Sequence, residues 1–184
     1  MDETTELRLL FLASQRFEDG KAIRGAFLLT DQNTKPLEFR CTNPIRPTQL
    51  QTILYGSSLQ EHMMVHLIGL PLLNSVKDKL HLVLVHEPDF LKVREKVSTP
   101  IVRISREGAV AISSEKDITP RLLVSRSGKF DPITLTPHPK FDSDRDQAKA
   151  VLAEVFNSYD LVEPFGRIAK ALEQVHAQRI GEEK

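Results

Sequence analysis

Cys41 lies in the stretch Phe39-Arg40-Cys41-Thr42-Asn43-Pro44-Ile45-Arg46-Pro47. A cysteine close to two arginines and just ahead of a helix start has the surroundings of a nucleophilic or redox thiol, because cations and helix N-termini favour the thiolate. The same residue alternates with Leu37 and Phe39 along an extended run, which equally suits a small core side chain. Arg46 is framed by Pro44 and Pro47. A stiff loop of this kind can present a guanidinium to a carboxylate or phosphate, or tie itself to a neighbouring acidic group. A second concentration of chemistry is Val85-His86-Glu87-Pro88-Asp89, which sets two carboxylates just past an apolar run. His62 and His66 have the i, i+4 spacing of metal ligands on a helix. Met63 stands where a zincin needs glutamate, so the pair reads as the polar edge of an apolar helix.

Other patterns are weaker. Ser113-Ser114-Glu115-Lys116 satisfies S-x-x-K, but falls at a strand end or turn rather than on the helix that chemistry requires. No phosphate-cradling glycine loop and no C-x-x-C is present. The densest basic group is Lys92, Arg94, Lys96, Arg103 and Arg106. With Arg40 and Arg46 it could form one positive face, and Thr42, Gln51 and Tyr55 complete the candidate contact surface. The total charge is balanced, 25 basic against 25 acidic residues, which argues against indiscriminate nucleic-acid binding. With no Trp and 2 Tyr, platforms for base stacking are scarce.

The 184 residues suit one ordinary domain with a small appendage. One cysteine excludes an internal disulfide and fits a reducing compartment. The acidic start, DETTE, is unlike a signal peptide, and the apolar run 63–73 is too short to cross a bilayer. The expectation is a cytoplasmic protein with no cofactor and no membrane contact.

These residues must be positioned by a recognisable succession of elements. Leu7–Ser14, Ile23–Thr30 and Leu37–Thr42 read as strands of an antiparallel meander, with Asp19-Gly20 at the first reversal. After Pro47 the period lengthens, predicting a short helix, a kink at 56–58, and a second helix capped by Ser57 or Ser58. Residues 80–85 form a buried strand, 88–97 a helix led by Pro88, and 100–105 another strand. Residues 109–113 and 121–125 are further strands, and 126–142, with three prolines, a loop. Ser143 caps a helix, and Asp160 with Glu163 suggests a capping box before a second, whose stripe is Leu161, Phe165, Ile168, Leu172 and Val175. The expected division is an α/β domain over 1–142 and a helical hairpin over 143–184, packed on it or on a partner.

Three strands, a helical segment, a strand, a helix and a strand is an order that resembles the RNase H-like fold, endonuclease V in particular. That resemblance implies a mixed sheet, with carboxylates at the ends of the first and fourth strands holding divalent metal for phosphodiester cleavage. This chain departs from the pattern at once. The first strand ends Leu12-Ala13-Ser14-Gln15, and only Glu87 or Asp89 offers an acid at the end of the fourth. The resemblance therefore implies a degenerate member. Separately, residues 36–56, PLEFRCTNPIRPTQLQTILYG, are similar to the signature of an uncharacterised bacterial family, which brings no activity with it.

The leading expectation is thus a non-catalytic accessory or interaction subunit of a bacterial complex, with a protein partner and nucleic acid as a further candidate. One alternative is a metal-dependent nuclease using Glu87 and Asp89 with a carboxylate from Asp31 or Glu38. A second is a thiol enzyme at Cys41.

Overall fold

A computed structural model describes residues 6–106 and 121–182. The meander forms as expected: β1 (Leu9–Phe17), β2 (Ala22–Thr30) and β3 (Pro36–Cys41) pair antiparallel. The β1–β2 reversal places Glu18, Asp19 and Gly20 all at positive φ, which the Asp-Gly pair tolerates best. Register then sets Leu12 against Phe27 and Ser14 against Gly25.

Beyond β3, Ile45 makes two backbone bonds to Ile23, of 3.0 and 2.8 Å, and so anchors the proline-rich corner to β2. Helix α1 (Gln49–Tyr55) starts two residues after Pro47, because Thr48 is the cap. Thr48 Oγ1 accepts from the Gln51 amide at 3.1 Å, and Gln51 Oε1 accepts from the Thr48 amide at 2.9 Å, closing a capping box. Gly56, at φ 54° and ψ −131°, ends the helix in a conformation that only glycine adopts without strain.

The second helix is not a regular one. A 3₁₀ turn (Gly56–Ser58) runs through α2 (Leu59–Glu61) into a π-helix (His62–Gly69) and then α3 (Leu70–Asn74). Ser58 does not cap it; its hydroxyl donates to the Tyr55 carbonyl at 2.6 Å. The Leu70 amide bonds to the Val65 carbonyl in the wide pattern, just ahead of Pro71, which has no N–H to offer the preceding turn.

Strand β4 (Leu82–Val85) lies parallel to β1, and β5 (Ile101–Ser105) parallel to β4. The link between them, Pro88–Lys96, is a 3₁₀ helix. Among the described residues, strands β6 (Leu122–Leu123) and β7 (Ile133–Pro137) bring the sheet to seven strands in the order β3-β2-β1-β4-β5-β7-β6. The expected loop over 126–142 therefore contains a strand. Its prolines flank or end β7 rather than interrupt it, and Ile133 and Leu135 alternate inward. The strand expected over 109–113 and the S-x-x-K of 113–116 lie outside the described residues.

Helices α4 (Ser143–Ser158) and α5 (Glu163–Glu182) cover one face of the sheet. Asp142, not Ser143, occupies the cap position of α4, and makes no side-chain cap bond. On that face Phe11, Leu28 and Leu84 meet Leu152, Phe156, Phe165 and Ile168. On the other, Leu12, Phe27 and Val85 meet Met64, Ile68 and Phe90. Burial on both sides is why β4 reads as an unbroken apolar run. No described helix is long and apolar enough to cross a membrane.

Candidate functional site at the carboxyl ends of β1 and β4

In an open α/β sheet, ligands bind beyond the carboxyl ends of the strands, where the chain's direction of winding changes. Here β1 has an antiparallel neighbour on one side and a parallel one on the other. Ser14 near the end of β1 and Glu87 just past β4 meet at that point. Glu87 Oε1 accepts from the Ser14 amide at 2.9 Å and from its hydroxyl at 2.8 Å. The other oxygen, Oε2, is buried and has no hydrogen-bond partner. Asp89, two residues on, accepts from Gln60 Nε2 at 3.2 Å, and Gln60 in turn accepts from Arg16 Nη2 at 2.6 Å.

On the helical side of the same crest lies a cleft of about 560 Å³, lined by Ala13, Ser14, His86, Arg106, Asp160 and Phe165 among others. His86 packs on Phe165 with ring centres 5.3 Å apart, and Arg106 spans to Asp160 at 2.8 Å. The acids expected to join Glu87 do not. Asp31 sits in the β2–β3 turn, at the amino end of β1, where it accepts from the amides of Asn33 and Lys35. Glu38 is on edge strand β3, paired with Arg40. Among the described residues no three His, Cys, Asp or Glu side chains form a group able to hold a metal. His62 belongs to a ring ladder, 4.5 Å from Tyr55 and 5.7 Å from His66.

The corner around Cys41 is built on a residue that pattern reading overlooked. Arg24 points from β2 to the α5 side and is fully buried. Its Nε donates to the Thr42 carbonyl at 3.2 Å and its Nη1 to His176 Nδ1 at 3.3 Å, while Nη2 has no hydrogen bond. A guanidinium only donates, so His176 Nδ1 is the acceptor and the ring proton sits on Nε2, 3.6 Å from Glu18 Oε1. Phe17 stacks on His176 at 4.2 Å. Burial pushes the pKa of Arg24 down, and Cys41 beside it opposes that shift. Cys41 is half-buried and packs on the core face, as its alternation with Phe39 suggests.

Arg46 meets Glu18 through Nε at 2.8 Å and Nη2 at 2.7 Å. That two-pronged bond holds the Glu18 carboxyl below its ordinary value. Thr42 faces inward, its hydroxyl accepting from the Gly25 amide at 3.1 Å.

The remaining basic residues each have a place in the fold. Lys92 pairs with Glu61, and Arg103 donates to the His86 carbonyl at 2.9 Å. Arg94 is a structural residue: Asp144 accepts its Nε at 2.7 Å, and Phe141 lies under its guanidinium at 3.9 Å. Lys96 lines a separate cleft with Asp78 and Leu80, at the amino ends of β4 and β5.

Strand order, the parallel β1–β4–β5 centre and the helical cover together define an RNase H-like fold. Within that fold the chain is similar to solved structures of endonuclease V. The chain superposes on endonuclease V of Streptomyces avermitilis with a TM-score of 0.52 at 12% identity, over 92% of this chain and 82% of that one. For endonuclease V of Bacillus subtilis the values are 0.52, 9%, 94% and 82%. Against a Ciona intestinalis endonuclease V bound to inosine-containing DNA the TM-score is 0.39 at 8% identity, over 61% of this chain, and the chain spans about half, 49%, of that protein. No protein-family model matches the chain, and no curated protein matches it in sequence.

Proposed function

We propose that this protein acts on nucleic acid as a metal-dependent nuclease of RNase H-like type, with its centre at Glu87. The observation that carries this reading is the half-satisfied carboxylate: one oxygen fixed by Ser14, the other buried without a partner at the crest where this fold binds ligands. Such an arrangement fits one divalent cation. Magnesium is commonly held by one or two carboxylates and completes its shell with water and substrate phosphate. A bound ion would supply Lewis-acid stabilisation of a phosphodiester in reaction. The chain's own residues do the positioning: Ser14 orients Glu87, and Gln60, itself bonded by Arg16, fixes the Asp89 carboxylate. The two bacterial structures of the same fold are endonucleases, which supports nucleic acid as the substrate class.

A second reading is a non-catalytic nucleic-acid-binding subunit. It is favoured by Ser14 itself, a hydroxyl where the first metal-binding carboxylate would stand in the resembled fold. Labelled single-stranded and duplex DNA and RNA, incubated with magnesium or manganese, separate the two. Cleavage lost in Glu87→Gln supports the nuclease. Binding without cleavage, indifferent to metal, supports the subunit. Neither binding nor cleavage removes both.

A further inference from the structure

Helix α1 has no buried residue. Leu50 is 63% exposed, Ile53 68% and Leu54 73%, while Tyr55, at 39%, continues the surface. Positions 50, 53 and 54 fall on one helix face. Seven residues are too few to hold a helix by propensity alone. The Thr48–Gln51 box and the Gly56 stop fix its ends, yet nothing in the described chain covers its apolar side.

We infer that this face is the interface of a two-fold homodimer. Two features point to a second copy as the occupant. First, residues 47–60 carry no charge at all. A two-fold contact sets a patch against itself, so a charged patch would meet its own sign, and this one meets none. The flanking pairs Arg46–Glu18 and Lys92–Glu61 each hold both signs, as a polar rim between identical copies requires. Second, Leu50, Ile53, Leu54 and Tyr55 keep 63%, 68%, 73% and 39% of their surface exposed on one two-turn helix, a contiguous apolar patch that doubles across a two-fold axis toward the ~1,000 Å² of a specific interface.

The test is mass by light scattering and sedimentation from ~1 to ~200 μM, on the wild type, Ile53→Glu and Ile53→Lys. The wild type is expected at twice 20.8 kDa at high concentration, falling to 20.8 kDa on dilution. Each variant is expected to stay monomeric, with at least a ~10-fold weaker association and an unchanged thermal melt, since Ile53 supports no core. An equal mixture of the two variants should recover the dimer, because a two-fold axis brings residue 53 near its own mate. A wild type that stays at 20.8 kDa throughout overturns the inference, as does a dimer indifferent to Ile53→Glu or a mixture that fails to recover. Association that needs added DNA overturns it in favour of nucleic acid as the occupant.

Discussion

Gly25 lies opposite Ser14 in the β1–β2 ladder, beneath the π-helix, and its lack of a side chain sets how closely that helix approaches the sheet. A Cβ built there would stand 2.0 Å from Ile68 Cγ2, 3.2 Å from its Cβ and 3.3 Å from its Cγ1. Carbon atoms pack at ~3.5–4.0 Å, so Gly25→Ala requires Ile68 to retreat by ~1.5 Å. Ile68 is wholly buried and cannot swing into solvent. Overpacking of this kind costs ~1–3 kcal/mol. The reduced freedom of the unfolded chain returns ~0.4–1 kcal/mol. The net expectation is a loss of ~1 kcal/mol, or a fall of ~2–4 °C in Tm for a chain of this length. Ile68→Ala alone should cost ~2–5 kcal/mol by opening a cavity. In the double variant the new methyl enters that space, so the pair should be less harmful than the sum by ~1–3 kcal/mol. Urea unfolding of the four proteins measures this coupling directly. A neutral Gly25→Ala, or strictly additive effects, would show that the close approach does not govern helix placement.

Asp144→Ala should destabilise by ~3–5 kcal/mol, because it strands the guanidinium of Arg94, only 13% exposed, without its acid. Arg94→Met added to it should restore much of the loss, and a double variant no more stable than Asp144→Ala would contradict that account. The Glu18 carboxyl is held below its usual 4.5 by the bond from Arg46, so its contribution to stability is present above pH 4.5 and is lost as pH falls through the lowered folded-state value. The Tm difference between wild type and Glu18→Gln should therefore be largest near neutrality and close in acid. A gap that widens in acid would show that the sign is wrong.

Much of the sheet is legible in the sequence because its signals are local. The two-residue alternation of β3, the apolar run of β4 and the Asp19-Gly20 reversal each need only a few neighbours to be read. Strand β7 was hidden because prolines at 132, 137 and 139 imply a loop, and their positions around the ladder are visible only once β5 pairs with Ile133–Pro137. The π-helix was hidden because its period departs from the ordinary helical one, and its packing depends on Gly25, some 40 positions upstream. Arg24 interrupts an apolar strand, which was a signal. Its meaning comes from His176 at the far end of the chain, 152 residues away. The stripe of α5 was traced through Val175, whereas His176 is the residue that turns inward. Glu87 was found as an acid at a strand end. That Ser14 would bind it, rather than merely replace a ligand, required the β1–β4 register.

The two rims of the sheet limit how this molecule can associate. Strand β3 begins at Pro36, which has no amide proton to give, and carries the charged pair Glu38–Arg40. At the opposite rim β6 has two residues. Among the described residues neither border offers a long, uncharged run of backbone donors and acceptors, the template on which one sheet grows onto another. Growth by strand addition is thereby blunted at both described borders, by the same short or charged edges that finish the fold.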